Sequence, residues 1–392
     1  MSDEAARLGQ MARQAIGAGD FANAEALLLQ SLQAGGNPSS TWLNIAAVRR
    51  QRSNLDGAIQ ALREVLTRDA RNFPALLMNA ALLERQGQMP AAAAAYAVAV
   101  ANAPQATLLD APTRQALDHG LDVVTRHTRE LDGFIRDHVA SSESRCTTAE
   151  KRRLDTFIHT TLRTRPRYRQ EPVEYFYPGL PSIEFYDRAE FDWLEAFEAS
   201  TERVRAELDT VLRDDDPALT PYIHYDPHMP LDQWRELNHS PRWSAYHLYE
   251  QGRAVAQRWA KLPATVAALS KLPQAEVPRR SPSAMFSVLA PQTRIPPHHG
   301  VANFRLVVHL PLILPGSCGF RVGGETREWR LGEAWVFDDT IEHEAWNDSD
   351  QVRVIFICDI WSPRLSPEER GAIAATIEAM DRFSGVTPSG AI

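Results

Sequence analysis

The residues best suited to chemistry are histidines in the last third of the chain. His298, His299 and His309 lie close together, and His343 follows His298 after 45 residues, flanked by Glu342 and Glu344. A neutral imidazole is the commonest protein ligand for iron, copper or zinc, so two such rings brought together by strand pairing would make a metal centre. His224 and His228 flank Asp226 at a spacing that suits a metal in isolation, but that stretch reads as a loop, and His247 reads as a packed strand histidine. The cysteines Cys146, Cys318 and Cys358 stand far apart with no Cys-x-x-Cys pair, which argues against a disulfide framework and a thiolate zinc site. Gly316-Ser317-Cys318-Gly319 and Gly323-Gly324 follow strands but open no helix, so no phosphate-cradling glycine motif is present. No serine or cysteine has the context of a nucleophilic triad.

Positioning such histidines calls for strands. Short apolar runs separated by turn signals predict strands at Ala284–Ala290, Phe304–Leu314, Gly319–Val322, Glu333–Phe337 and Val352–Trp361, an antiparallel sandwich or barrel. Alternation along Phe304–Leu312 puts Arg305, Val307 and His309 on one face. Helices are expected around Phe191–Leu212 and Ala254–Ser270, packed outside the strands.

The first hundred residues repeat with a period of 34: Asp20-Phe21, Asn54-Leu55 and Gln88-Met89 mark turns, and Ala24, Ala58 and Ala92 keep step with Leu28, Leu62 and Tyr96. Leu32, Leu66 and Val100 follow the same interval, as do Leu8, Trp42 and Leu76. Turns between helical stretches at this period resemble the tetratricopeptide repeat, over residues 5–105, and three units are about the minimum that buries a continuous core. Such an array implies a surface for peptides or partner proteins. Helical spacing continues over Thr113–Val139 and Ala149–Leu162, until the two prolines of Arg163–Pro172 break it in a basic run that reads as a solvated linker. The expected organisation is therefore residues 1–105 as helical repeats, 106–171 as helical extension and linker, and 172–392 as the chemistry-bearing domain.

Composition excludes several functions. Length alone, 392 residues at roughly 150 per domain, allows two or three domains. With 42 basic against 50 acidic residues the formal charge is −8, the reverse of what a nucleic-acid-binding chain carries. No stretch approaches the length of a membrane span. Acids near the N-terminus and the absence of an apolar core followed by a cleavage site read as no secretory signal, and with so few cysteines the expected location is cytoplasmic.

A group of linked motifs goes further. Phe286-Ser287-Val288-Leu289, Pro296-Pro297-His298-His299-Gly300, Asn303-Phe304-Arg305-Leu306, Val308-His309-Leu310-Pro311-Leu312 and Phe337-Asp338-Asp339-Thr340-Ile341-Glu342-His343-Glu344-Ala345-Trp346 strongly resemble the aspartyl/asparaginyl β-hydroxylase family in order and gaps. The resemblance extends upstream through Tyr177-Pro178-Gly179-Leu180-Pro181, takes in Trp243–Leu248, and reaches Asp359-Ile360-Trp361, covering roughly residues 172–380. It implies an α+β multidomain chain, with the tetratricopeptide-like solenoid followed by a double-stranded β-helix of jelly-roll type. It also implies iron(II), with 2-oxoglutarate and dioxygen as cosubstrates, and hydroxylation of an aspartyl, asparaginyl or similar residue of a peptide or protein.

Carried residue by residue, the resemblance makes His298 and His343 the iron ligands. Gly300 stands where most related oxygenases carry a carboxylate ligand, and a two-histidine site, with water in the third place, is what this family resembles. Asp339 is read as a turn acid, with orientation of water near the metal as its other role. Arg353 has the forked donors that match the distal carboxylate of 2-oxoglutarate, Ser287 matches a hydroxyl at the same end, and His309 matches a residue near the iron-bound end. Arg305 is a candidate substrate contact. In the animal enzymes the place of Val307 is held by an anion-binding arginine, so recognition of an acidic side chain is not expected to follow the family pattern. Three other readings remain open at this stage: an iron halogenase, which also lacks the carboxylate ligand; a repeat-domain adaptor with an inactive β-domain; and the lipid-modifying branch of the superfamily.

Overall fold

Short polar side chains start most helices of the N-terminal part. Ser2, Asp20, Asn37, Asn54, Asn72 and Asp110 each accept a hydrogen bond from the backbone N–H three residues on, a cap worth about 1 kcal/mol. They open α1 (Asp3–Gly17), α2 (Phe21–Gln33), α3 (Pro38–Gln51), α4 (Leu55–Arg68), α5 (Phe73–Arg85) and, after α6 (Met89–Ala101), α7 (Ala111–Glu143); α8 (Thr148–Thr161) follows. The computed structural model describes residues 2–213, 219–226, 228 and 230–385, and the chain divides into two units, Met1–Ile158 and His159–Ile392.

The 34-residue period is visible in the backbone of the first unit, a helical solenoid of tetratricopeptide-like form. Gly19, Ser53 and Gly87 all take the left-handed conformation, with φ of 76°, 60° and 72°, at the turn inside each helix pair. Ala24, Ala58 and Ala92 are fully buried where the paired helices approach, and Leu28, Leu62 and Tyr96 fill the stacked core. Leu32, Leu66 and Val100 are half-buried. Helix α7 is longer than expected. It docks through Gly120 and Val123, the Gly120 backbone lying against the Tyr96 ring.

Strand residues of the second unit alternate between two kinds of neighbour. A six-stranded antiparallel sheet runs in the order β1 (Thr220–Pro221), β2 (Trp243–His247), β5 (Ala284–Leu289), β12 (Arg353–Trp361), β7 (Arg305–Ile313), β10 (Trp335–Phe337). A four-stranded sheet runs β6 (Thr293–His298), β11 (His343–Asn347), β8 (Cys318–Val322), β9 (Glu325–Arg327), and β3 (Tyr249–Glu250) pairs with β4 (Arg253–Ala254). Phe286, Leu306, Val308, Leu310 and Phe356 on one face of the large sheet pack on Phe197, Val204, Leu208 and Leu269 of α9 (Leu194–Glu198), α10 (Thr201–Leu212) and α12 (Pro263–Leu269). On the other face Leu289, Val307, Trp335, Phe337 and Ile355 share a core with Ile295, Phe320, Val322 and Ala345 of the small sheet.

Three expectations need correction. The helices expected at Phe191–Leu212 and Ala254–Ser270 are each two pieces, the second pair being α11 (Ala256–Lys261) and α12, broken where Pro263 denies the helix an N–H. Strands β6 and β11 were absent from the sequence reading. Pro296 and Pro297 argue against an interior strand, but β6 is an edge strand, where missing N–H groups cost nothing. The run Arg163–Pro172 is not a free, solvated linker: Arg165 pairs with Glu184, Tyr168 lies beneath Arg321, and Gln170 bonds to Asp338. Helix α13 (Pro367–Ser384), opened by a Ser366–Glu369 capping box, closes the described chain.

Candidate functional site

The two strands missed from sequence carry the two leading histidines. His298 ends β6, His343 begins β11, and they are register partners with ring centroids 4.0 Å apart. In each, Nδ1 faces the carbonyl two residues earlier, Pro296 at 2.8 Å and Ile341 at 3.1 Å. A carbonyl only accepts, so Nδ1 carries the proton and Nε2 keeps its lone pair. Burial, with His343 adjacent, holds His298 neutral well below the usual histidine range; burial pushes His343 down to about 4. Trp234 meets the His298 ring edge-on at 5.0 Å, and Phe337 lies 5.9 Å from His343.

The large sheet presents the remaining candidates on its inner face. Arg353 is 1% exposed, its Nε has no acceptor, and among the described residues no carboxylate pairs with it. Burial pushes this guanidinium down to about 10. Its carbon sits 4.9 Å over Trp329, whose Nε1 also lacks an acceptor, and the Trp329 and His309 ring centroids are 6.1 Å apart. His309 Nδ1 is buried and unpartnered too, and burial, then Arg353, pulls its pKa far down. Three buried donors or acceptors without partners in one neighbourhood are costly unless a ligand satisfies them. Ser287, on the same face, accepts a hydrogen bond from Trp243 Nε1 at 3.1 Å, which leaves its hydroxyl proton to donate.

Arg305 does not stand free. It donates to Asp339 at 3.1 Å; burial would lower its pKa, but Asp339 and Asp359 outweigh this and hold it charged. Asp359 lies opposite Val307 in the strand register, takes an N–H from Ser283, and is pushed up to about 7 by burial. Asp339 stands against Gly300: a Cβ at position 300 would lie 2.1 Å from its Oδ2. Its Oδ1 is buried and unpartnered. Asp339 is thus more than a turn acid.

The other histidines make their own contacts. His299 lies 4.0 Å from Glu171, His224 bonds back to the Tyr222 carbonyl, and the His228 N–H caps Asp226. His247 is half-buried beside Tyr222. Among the described residues no three His, Cys, Asp or Glu side chains gather as a metal cluster. Trp329 was absent from the sequence motifs, and Asp338 and Asp359 entered only as members of them, without a role. Trp329 follows the short β9 in an irregular stretch, and only its position over Arg353 marks it.

The profile described as Aspartyl/Asparaginyl beta-hydroxylase matches residues 198–363. An "Ornithine lipid ester-linked acyl 2-hydroxylase" of Rhizobium tropici is 32% identical over 201 residues, which cover 50% of this chain and 67% of that protein. The second unit therefore carries an aspartyl/asparaginyl β-hydroxylase-like domain. The human "Aspartyl/asparaginyl beta-hydroxylase" is 36% identical over 146 residues, 37% of this chain and 19% of that protein. The human "Aspartate beta-hydroxylase domain-containing protein 2" is 30% identical over 228 residues, 55% and 59% of the two chains. The chain therefore spans about a fifth of the first of these human relatives and under two thirds of the second. The tetratricopeptide domain of Sgt2 from Aspergillus fumigatus aligns with 33% of this chain and 83% of its own, at 18% identity and a TM-score of 0.28. Among the described residues no helix is long and apolar enough to cross a membrane.

Proposed function

We propose that the second unit is an iron(II)- and 2-oxoglutarate-dependent dioxygenase that hydroxylates the β-carbon of an asparaginyl, aspartyl or similar residue. The observation that carries this is Arg353, a buried guanidinium without a carboxylate, beside the unpartnered Trp329 Nε1 and His309 Nδ1. A dicarboxylate supplies the missing acceptors. The iron fits the donor set: two neutral rings at 4.0 Å with Nε2 lone pairs left to donate, and among the described residues no cluster of three ligating side chains. Bound iron supplies the activation of dioxygen that couples decarboxylation of 2-oxoglutarate to succinate with transfer of one oxygen atom to carbon.

The protein's own residues bind and orient. His298 and His343 hold the metal. Arg353 takes the distal carboxylate in its fork, and the Ser287 hydroxyl, with its oxygen fixed by Trp243, donates to the same group. His309 serves the end nearest the metal. Trp234, Trp243 and Phe337 shield the histidines from water. Arg305 meets the substrate as an already neutralised pair with Asp339, and with Asp359 opposite Val307 the site favours an uncharged side chain over a second carboxylate. The Asp339 carboxylate against Gly300 also disfavours chloride there, which separates this reading from a halogenase.

In this reading the two sheets form a double-stranded β-helix, residues 172–392 are the oxygenase, 106–171 the extension, and 1–105 a surface for the polypeptide substrate or a partner protein. Turnover of asparaginyl and aspartyl peptides with iron(II), 2-oxoglutarate and oxygen tests it. Succinate with a substrate gain of about one oxygen atom is expected. No succinate with any peptide or cell extract, or a chlorine-containing product, overturns it.

A further inference from the structure

The segment entering the second unit runs along both loops that bear the histidines. The Glu171 N–H donates to the Thr340 carbonyl at 2.8 Å and the Val173 N–H to the Gly300 carbonyl at 2.9 Å. Beside the direct Gly300–Asp339 contact, the Gln170 side chain links the same two loops. Gln170 Nε2 donates to Asp338 Oδ2 at 2.5 Å, and Gln170 Oε1 accepts from Asn303 Nδ2 at 3.0 Å. Both partners are rigid: Asp338 is fully buried and takes the Thr340 N–H and hydroxyl, while Asn303 is clamped to both backbone groups of Tyr177. The placement is symmetrical, since His298 stands five residues before Asn303 and His343 five residues after Asp338.

We propose that Gln170 is a positioning residue whose carboxamide ties the loop after His298 to the loop before His343 and so sets the spacing of the two ring donors. This rests on the two-histidine metal reading. The bridge needs a donor toward a carboxylate and an acceptor toward an amide at once, which among side chains of this length only glutamine offers. Gln170 lies upstream of the matched family region and holds no metal itself; it acts through the loops, as partners beyond the ligands commonly do.

Cobalt(II) titration of the full chain, read by visible absorption, tests the proposal. The wild type should bind, and Gln170→Met and Gln170→Glu should each weaken binding by about tenfold. The double variant Gln170→Glu/Asp338→Asn exchanges donor and acceptor across the same bond and should restore most of the affinity, losing only the long Gln170 N–H to Pro181 carbonyl contact at 3.3 Å. Ser182→Ala, which removes only the acceptor of the Gln170 N–H, should leave it unchanged. Equal affinity in folded Gln170 variants, or an exchanged pair as weak as Gln170→Glu, overturns the proposal. Should the single variants not fold, the exchanged pair still decides. A wild type that binds no cobalt overturns the two-histidine reading itself, and this inference with it.

Discussion

Gly300 and Asp339 share one volume. The Gly300 N–H donates to the Asp339 carbonyl at 2.6 Å, and any Cβ at position 300 would fall within 2.5 Å of the Asp339 carboxylate atoms. The carboxylate that acts on His298 therefore comes from the loop before His343, and glycine is what lets the two backbones approach.

A carboxylate cannot simply be reinstalled. Gly300→Asp should displace Asp339, destabilise the unit by about 2–3 kcal/mol, and weaken metal binding rather than complete a triad. Gly300→Asp combined with Asp339→Ala should regain most of the stability. Thermal unfolding with a metal titration checks both, and a Gly300→Asp protein that binds metal more tightly than the wild type contradicts the packing argument.

Arg353 trades stability for binding. An unpaired buried guanidinium is costly, so Arg353→Met should raise the stability of the metal-free protein by about 1–3 kcal/mol. The same change should raise the KM for 2-oxoglutarate at least ~100-fold and abolish the rise in Tm that 2-oxoglutarate gives the wild type. Differential scanning with and without cosubstrate separates the effects. Destabilisation without ligand would assign Arg353 a purely structural role.

His343 makes the metal-free protein sensitive to acid. Its folded pKa, pushed down by burial to about 4, lies below the unfolded value near 6.5, so the unfolded chain binds the proton first. Its contribution is intact above about 6.5 and is lost as pH falls toward 4. Asp359, raised to about 7, works the opposite way: its contribution is present below about 4 and is lost as pH rises toward 7. Comparison with His343→Gln isolates the first term. The wild type should lose about 2 kcal/mol relative to the variant between pH 7.5 and 5 in urea unfolding, and parallel curves contradict it.

Much of this was legible because it is periodic or linked. The 34-residue interval marked the turns at Asp20-Phe21, Asn54-Leu55 and Gln88-Met89, where Gly19, Ser53 and Gly87 just before them take positive φ, and alternation placed Arg305, Val307 and His309 on one face. The strands bearing His298 and His343 were hidden, one by two prolines that only an edge strand tolerates, the other by His343, Glu344 and Asn347, which leave no apolar run to read. The Arg305–Asp339 pair and the Gln170 bridge join residues far apart in the chain, and no local pattern announces them.

Ser53 tests the repeat reading at a single residue. It alone of the three turn positions holds a side chain at positive φ, so Ser53→Gly should stabilise the first unit by about 0.5–1 kcal/mol. Gly87→Ala should do the reverse. Unfolding midpoints check this, and loss of stability in Ser53→Gly refutes the equivalence.

Anaerobic titration of the protein with iron(II) and 2-oxoglutarate tests the metal and cosubstrate sites most directly. A weak visible charge-transfer band should appear only when both are present, vanish in His343→Ala, and require far more 2-oxoglutarate in Arg353→Met. Absence of any band in the wild type at saturating iron and 2-oxoglutarate would contradict both assignments.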